Sequence, residues 1–202
     1  MNQFLLLLSL AVVPALSPAL AQPGYFGSEP WRPTGSFGVG FSTPVNPLAN
    51  RLNTGWNIAG GIGVTRNYFG VTADAMFNDF GINRRTLALV GARSGSQKFW
   101  AVTADPTFHV NDRGPLDFYV IGGGGLYGRY TKYRASSTAA GPGFDLVRSE
   151  QILRPGVNLG AGFAFNLSDS SNIKFFAEAR YHRMFTPGTD ASFIPVTLGI
   201  RF

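Results

Sequence analysis

The chain has 202 residues, with 17 Lys and Arg against 11 Asp and Glu, 26 Gly, 18 Phe and no Cys. Without cysteine it can form neither a disulfide nor a cysteine-borne lipid anchor. Its +6 charge suits nucleic acid, anionic lipid or no charged partner, but no stretch interleaves aromatics with a basic cluster, so nucleic acid is not expected.

Residues 1–21, MNQFLLLLSLAVVPALSPALA, carry an apolar run from Phe4 to Val13 and end in Ala19-Leu20-Ala21. The run is too short to cross a bilayer, and A-x-A is a cleavage pattern, so a secretory signal peptide cut after Ala21 is expected. Pro14 and Pro18 weaken the alternative of a membrane anchor, although the first residues lack Lys and Arg. Residues 22–33 read as a Gly/Pro/aromatic lead-in on the periplasmic side, and residues 34–202 as one domain.

Eight segments of period two follow. Thr34–Thr43 sets Phe37, Val39 and Phe41 against Ser36, Gly38 and Gly40. Thr54–Thr65 sets Trp56, Ile58, Ile62 and Val64 against Asn57, Gly61 and Gly63, and Phe69–Asn78 sets Phe69, Val71 and Phe77 against Thr72, Asp74 and Met76. Lys98–Val110 sets Trp100, Val102, Phe108 and Val110 against Thr103, Asp105, Thr107 and His109. The fifth segment, Leu116–Tyr130, contains four consecutive glycines (Gly122–Gly125), and its facing stays open. Arg154–Leu167 sets Val157, Leu159, Phe163 and Phe165 against Asn158, Gly160 and Gly162. Ile173–Met184 sets Ile173, Phe175 and Tyr181 against Phe176, Glu178, Arg180 and His182. The last, Phe193–Phe202, alternates to its final aromatic residue.

Helix-period segments with capping signals are not evident, and there is no second run of about twenty apolar residues. Connections alternate between short (Arg66–Tyr68, Asn111–Pro115, Ser168–Asn172) and long (Pro44–Asn53, Asp79–Gln97, Thr131–Leu153, Phe185–Ser192). Strands of about ten residues with one apolar face, joined by such turns, predict an all-β, eight-stranded antiparallel up-and-down transmembrane β-barrel. The competing soluble barrel would place its apolar face inward. It is disfavoured because the other face is Gly, Ala, Ser, Thr and Asn, which fills a narrow lumen but coats a soluble surface poorly. Closure would pair the last strand with the first, making Phe202 part of the barrel seam and of an aromatic girdle at the periplasmic boundary. Pro106 and Pro155 fall inside expected strands, where a closed barrel has no free edge to excuse a missing N–H.

The eight strands, the signal peptide and the endings FFAEARYHRMF and PVTLGIRF resemble the small eight-stranded bacterial outer-membrane barrels of the OmpA/OmpX type over essentially the whole mature chain. The resemblance implies a multi-pass outer-membrane location and recognition of the terminal Phe202 strand by the barrel-assembly machinery. It also implies that the peptidoglycan-binding domain of larger members is missing.

Inward charges are the most informative polar residues. Asp74, Asp105, Glu178 and Arg180 come from mid-strand, and Lys174 and Arg201 from near the short-turn end. An eight-stranded lumen is only wide enough for its side chains to fill, so the first four are expected to form an ion-pair plug, with a polar path for small ions as the alternative. Arg84, Arg85, Arg93, Lys132 and Arg134, in or beside long loops, are expected to contact lipopolysaccharide phosphates, against the plain alternative of a solvated rim.

His109 and His182 are the only histidines and lack a Cys or close acidic cluster, so neither a metal nor another cofactor is expected. His182 invites comparison with the lipid A deacylases, whose pattern has a Ser two positions after the His. That place is Met184, so lipid hydrolysis is not expected. GGGGLYG (Gly122–Gly128) lacks the following helix that a phosphate loop needs, since RYTKYR continues strand-like.

The reading is a monomeric, non-enzymatic outer-membrane barrel with a structural or surface-interaction role and with lipid and lipopolysaccharide as partners. A narrow channel for small solutes is the first alternative and a lipid-modifying enzyme the second.

Overall fold

The structure, a computed structural model, describes residues 30–110, 116–135, 147–166 and 173–202, with residues 135, 147 and 148 as backbone only. The expected signal peptide, its cleavage after Ala21 and the lead-in up to residue 29 lie outside the described residues.

Eight strands close on themselves in sequence order. They are β1 (Arg32–Pro44), β2 (Gly55–Arg66), β3 (Phe69–Gly81), β4 (Ala92–His109), β5 (Leu116–Ala135), β6 (Val147–Asn166), β7 (Lys174–Met184) and β8 (Ala191–Arg201). Every neighbouring pair is antiparallel, including β1 with β8, which closes the barrel. At that seam Gly35 and Phe202 exchange both backbone hydrogen bonds, at 2.8 and 2.9 Å. Full closure leaves no strand edge, the condition for a sheet to sit in hydrocarbon.

The alternation assigns the two faces by elementary energetics. Phe37, Phe41, Trp56, Ile62, Val102, Phe118, Leu159 and Leu198 stand outside, with Ile62 61 % and Leu159 68 % exposed. So large an apolar belt is intolerable in water and is a lipid-facing surface. The inward face holds Asn57, Asn78, Thr103, Asp105, Asn158 and Glu178, all buried. An interior more polar than the exterior excludes the soluble barrel.

The open facing of β5 resolves with Asp117, Tyr119, Ile121, Tyr127 and Thr131 inward and buried, and Phe118, Val120 and Leu126 outward.

Two expectations are corrected. First, β4, β5 and β6 run well past the Lys98, Tyr130 and Arg154 limits set by periodicity. The β4–β5 ladder continues through Ser96↔Lys132 and Ser94↔Arg134, with Gln97 Nε2 donating to Thr131 Oγ1 at 3.1 Å. Beyond the apolar belt the outer face is polar (Ser94, Ser96, Lys132, Gln151), and the inner face mixes buried polar Gln97 and Thr131 with Ile152, so the backbone pairs on while the apolar–polar alternation that would reveal it disappears. Second, the β3–β4 connection contains a short helix, α1 (Arg84–Leu89), with a genuine cap: Asn83 Oδ1 accepts from Thr86 N at 2.8 Å. Its single capped turn and a half is too brief for a 3.6-residue period to register.

The strand prolines take two forms. Around Pro106 the β4–β5 register is unchanged, from Ala104↔Gly124 to Thr107↔Ile121, so rungs are lost without a bulge. Pro195 does the same between Ala179↔Val196 and His182↔Phe193 in the β7–β8 ladder. Pro155 instead lies where β7 ends: its carbonyl accepts from Phe185 N at 3.0 Å, so its missing N–H faces the finish of the partner strand.

Candidate functional site: the barrel lumen

Strand alternation places Glu178 and Arg180 on one face of β7, Asp105 on the inward face of β4 and Asp74 on that of β3. All four meet. Arg180 Nη1 lies 3.0 Å from Asp74 Oδ2 and 2.9 Å from Asp105 Oδ2, and Arg180 Nε donates to Glu178 Oε1. One planar guanidinium thus serves three carboxylates through two of its nitrogens, a geometry lysine cannot reproduce.

The carboxylates have further donors. Asp105 accepts from Thr103 Oγ1 at 2.6 Å and Asn158 Nδ2 at 2.7 Å, Asp74 from Thr72 Oγ1 at 3.0 Å, and Glu178 from Tyr119 Oη at 2.9 Å. Arg201 Nη2 approaches Glu178 Oε2 at 4.0 Å while its guanidinium covers Tyr119 and Phe176, 4.4 and 5.4 Å from their ring centroids. Such extra bonds are what buried ions require to offset desolvation. Space is equally tight: a Cβ on Gly61 would stand 1.8 Å from Asp74 Oδ1, so glycine at that position is what lets the carboxylate lie against the wall.

Above this layer, towards the long loops, the lumen changes character. Phe80, Phe99 and Phe193 pack ring to ring at 5.1–5.8 Å, joined by Tyr127, Met184, Leu48 and Leu52, all buried. His182 stacks on Phe193 with centroids 5.4 Å apart and planes 3° from parallel, and its Nδ1 pairs with Tyr127 Oη at 2.9 Å. Met184, in the place a deacylase-like serine would need, is fully buried in this apolar group. Below the charged layer, His109 Nδ1 pairs with Asp117 Oδ2 at 2.7 Å beside Tyr119.

Sequence reasoning found the charged layer but not the aromatic one. Its signal was present: Phe80, Phe99 and Phe193 share the inward parity of Met76 and Phe176, but they lie at or past the ends of the periodic segments, where no facing was assigned. Asp117 went unassigned because the facing of β5 was open.

The remaining cavity around Asp74, Glu178 and Arg180 is ≈ 40 Å³, room for roughly three waters. Among the described residues, no group of three His, Asp or Glu side chains is arranged to hold a metal ion.

The expected lipopolysaccharide contacts sit on three elements, with Arg93 next to the Ser94↔Arg134 rung of the β4–β5 ladder. Arg84 and Arg85 are exposed on α1, Arg93 is exposed at the start of β4, and Lys132 and Arg134 lie on the projecting end of β5 rather than in a loop. Phe202 is 61 % exposed, on the outer wall next to Gly35.

No family model and no curated protein matches the chain. Its fold is shared with solved outer-membrane barrels. Neisserial surface protein A matches with a TM-score of 0.58 at 14 % identity, over 86 % of this chain and 98 % of that one. A major outer membrane protein from Thermus thermophilus matches with a TM-score of 0.58 at 11 % identity, over 85 % and 99 %. Ail, the attachment invasion locus protein of Yersinia pestis, solved with the heparin analogue sucrose octasulfate, matches with a TM-score of 0.50 at 20 % identity, over 85 % and 99 %. The architecture is that of a small bacterial outer-membrane β-barrel.

Proposed function

We propose that this protein is a closed, non-conducting and non-enzymatic outer-membrane barrel whose working surface is its long-loop end. The observation that carries this reading is the filling of the lumen by two unlike layers. The Arg180 layer leaves only a cavity of ≈ 40 Å³ beside its ion pairs, and the Phe80–Phe99–Phe193 layer fills the lumen above it with apolar rings. Ions would have to cross both. His182 is stacked and buried, and the hydroxyl beside it is that of fully buried Tyr127, 2.9 Å from Nδ1, while the position a deacylase-like serine would need is Met184.

A sealed barrel of this kind acts as a rigid membrane anchor. Arg84, Arg85 and Arg93, standing at the rim, are suited to phosphates of neighbouring lipopolysaccharide. Phe202 is proposed as the element read by the assembly machinery.

Liposome swelling tests the sealed lumen. Vesicles containing the purified barrel should swell in arabinose no faster than empty vesicles. Swelling that scales with barrel content and falls with solute size would support a channel instead.

A further inference from the structure

The long-loop mouth holds a second cavity, distinct from the sealed lumen and above it. It has a volume of ≈ 400 Å³, within the usual range for small-ligand sites. Its floor includes Leu48 of the aromatic layer, and its wall contains Arg51, Arg129 and Arg154. Arg129 and Arg154 come from the neighbouring, paired strands β5 and β6, and Arg51 from the β1–β2 connection.

None of these three arginines has an ion pair among the described residues; Arg154 makes only a long hydrogen bond, 3.4 Å, to Leu153 O. Two carboxylates share the cavity. Asp190 is already committed: Oδ2 accepts from Arg183 Nη2 at 2.6 Å and Nε at 2.8 Å, and Oδ1 from Thr186 N at 3.1 Å. Glu150 alone is left facing three unpaired guanidiniums. The Asp190 ties also fix the Thr186–Asp190 wall, so the pocket is preorganised on that side.

Three forked donors around a small cavity suit tetrahedral oxyanions, each able to take a bidentate contact. A single free carboxylate and Thr189 beside them suit hydroxyl groups. We propose that the mouth cavity binds a sugar bearing sulfate or phosphate esters, with Arg51, Arg129 and Arg154 on ester oxygens and Glu150 accepting from sugar hydroxyls. This rests on the reading of the long-loop end as the working surface. It fails independently of the sealed lumen, because conductance and glycan binding are separate readouts.

The experiment uses the folded full-length barrel, checked by heat-modifiable gel mobility, in phosphatidylcholine nanodiscs free of lipopolysaccharide. Calorimetric titrations with sucrose octasulfate, with the phosphorylated core oligosaccharide released from lipopolysaccharide, and with unmodified sucrose are run at low and moderate salt. Binding of either charged probe but not sucrose, weakening with salt, is expected. Preference for the first probe assigns a sulfated glycan in solution as the source, and preference for the second the sugars of the surrounding membrane.

Each of Arg51→Ala, Arg129→Ala and Arg154→Ala should cost about tenfold in Kd and flatten the salt dependence. The control Arg66→Ala, at the opposite, short-turn end of β2, should leave binding unchanged. The proposal is overturned if neither charged probe binds, if sucrose binds equally well, if the triple arginine variant binds like the wild type, or if the Arg66 control loses as much.

Discussion

Arg180 on β7 reaches across the lumen to Asp105 on β4, Nη1 to Oδ2 at 2.9 Å, with the aspartate completely buried. The two residues lie on strands that share no ladder, so the ion pair ties opposite walls of the barrel. Removing the guanidinium would strand Asp74, Asp105 and Glu178 together. Arg180→Ala should therefore lower unfolding stability in lipid vesicles by about 3–5 kcal/mol. Arg180→Lys, which keeps the charge but not the fork, should recover only part. A urea midpoint for Arg180→Ala equal to that of the wild type would remove the ion layer from the account.

Gly61 gives an independent handle on the same layer. An alanine methyl there collides with Asp74 Oδ1, and Ser36 Oγ stands 3.2 Å away on the other side. Gly61→Ala should cost about 1–3 kcal/mol by overpacking. In an Asp74→Ala background most of that cost should vanish, a coupling that a double-mutant cycle reads directly. Additive losses would mean that the methyl group is accommodated elsewhere.

The aromatic layer predicts a different phenotype. Phe193 touches Phe80, Phe99 and His182, and Phe193→Ala should destabilise the barrel by about 3–5 kcal/mol. The charged layer beneath it stays intact, so vesicles with this variant should remain tight to small solutes. Leakage from the single variant would show that the aromatic rings alone make the seal.

These contrasts explain how far the sequence could be read. Where hydrocarbon meets one face and a packed lumen the other, period-two alternation is imposed on every strand; Phe37/Gly38 and Val102/Thr103 therefore announced both strand and facing. The meeting of Asp74, Asp105, Glu178 and Arg180 was legible because unpaired charge cannot persist in so narrow a space. The projecting parts of β4, β5 and β6 were not legible, because polar residues stand on their outer face as well as among the inner ones (Ser96 and Lys132 outside, Gln97 and Thr131 inside), which leaves no alternation. The aromatic layer escaped because Phe80, Phe99 and Phe193 lie at or past the ends of the periodic segments, where too few neighbours remain for alternation to assign a facing. The meeting of Arg51, Arg129 and Arg154 was not legible for a third reason: they are far apart in sequence, and it takes the β5–β6 ladder and the closed barrel to gather them.

The seam predicts an assembly phenotype. Phe202 pairs its backbone with Gly35, and its ring lies where a Cβ on Gly35 would stand, 2.6 Å from Cε2. Phe202→Asp places a charge in the apolar belt and should reduce the folded fraction recovered from outer membranes. Gly35→Leu, by displacing the ring, should reduce it less. Equal recovery of heat-modifiable barrel from all three chains would detach Phe202 from assembly.

The β7–β8 connection should respond to acid. Its hub, Asp190, is held below the usual carboxylate range by hydrogen bonds from Arg183 and then from Thr186 N. With its pKa depressed on folding, the tie is fully present above the ordinary aspartate range and is lost as pH falls through the lowered value. The Thr186 amide resonance should therefore move with a midpoint below about 3.9, and Arg183→Ala should raise that midpoint. An unshifted midpoint would show the contact to be absent in solution.

Planar-bilayer recording tests the sealed lumen most directly. The wild-type barrel, inserted in defined lipid, should give no resolved conductance steps. The Arg180→Ala, Phe193→Ala double variant, in which both layers are breached, should give a measurable leak. Steady, well-resolved conductance from the wild type, unchanged in the double variant, would contradict the two-layer seal and make the protein a channel.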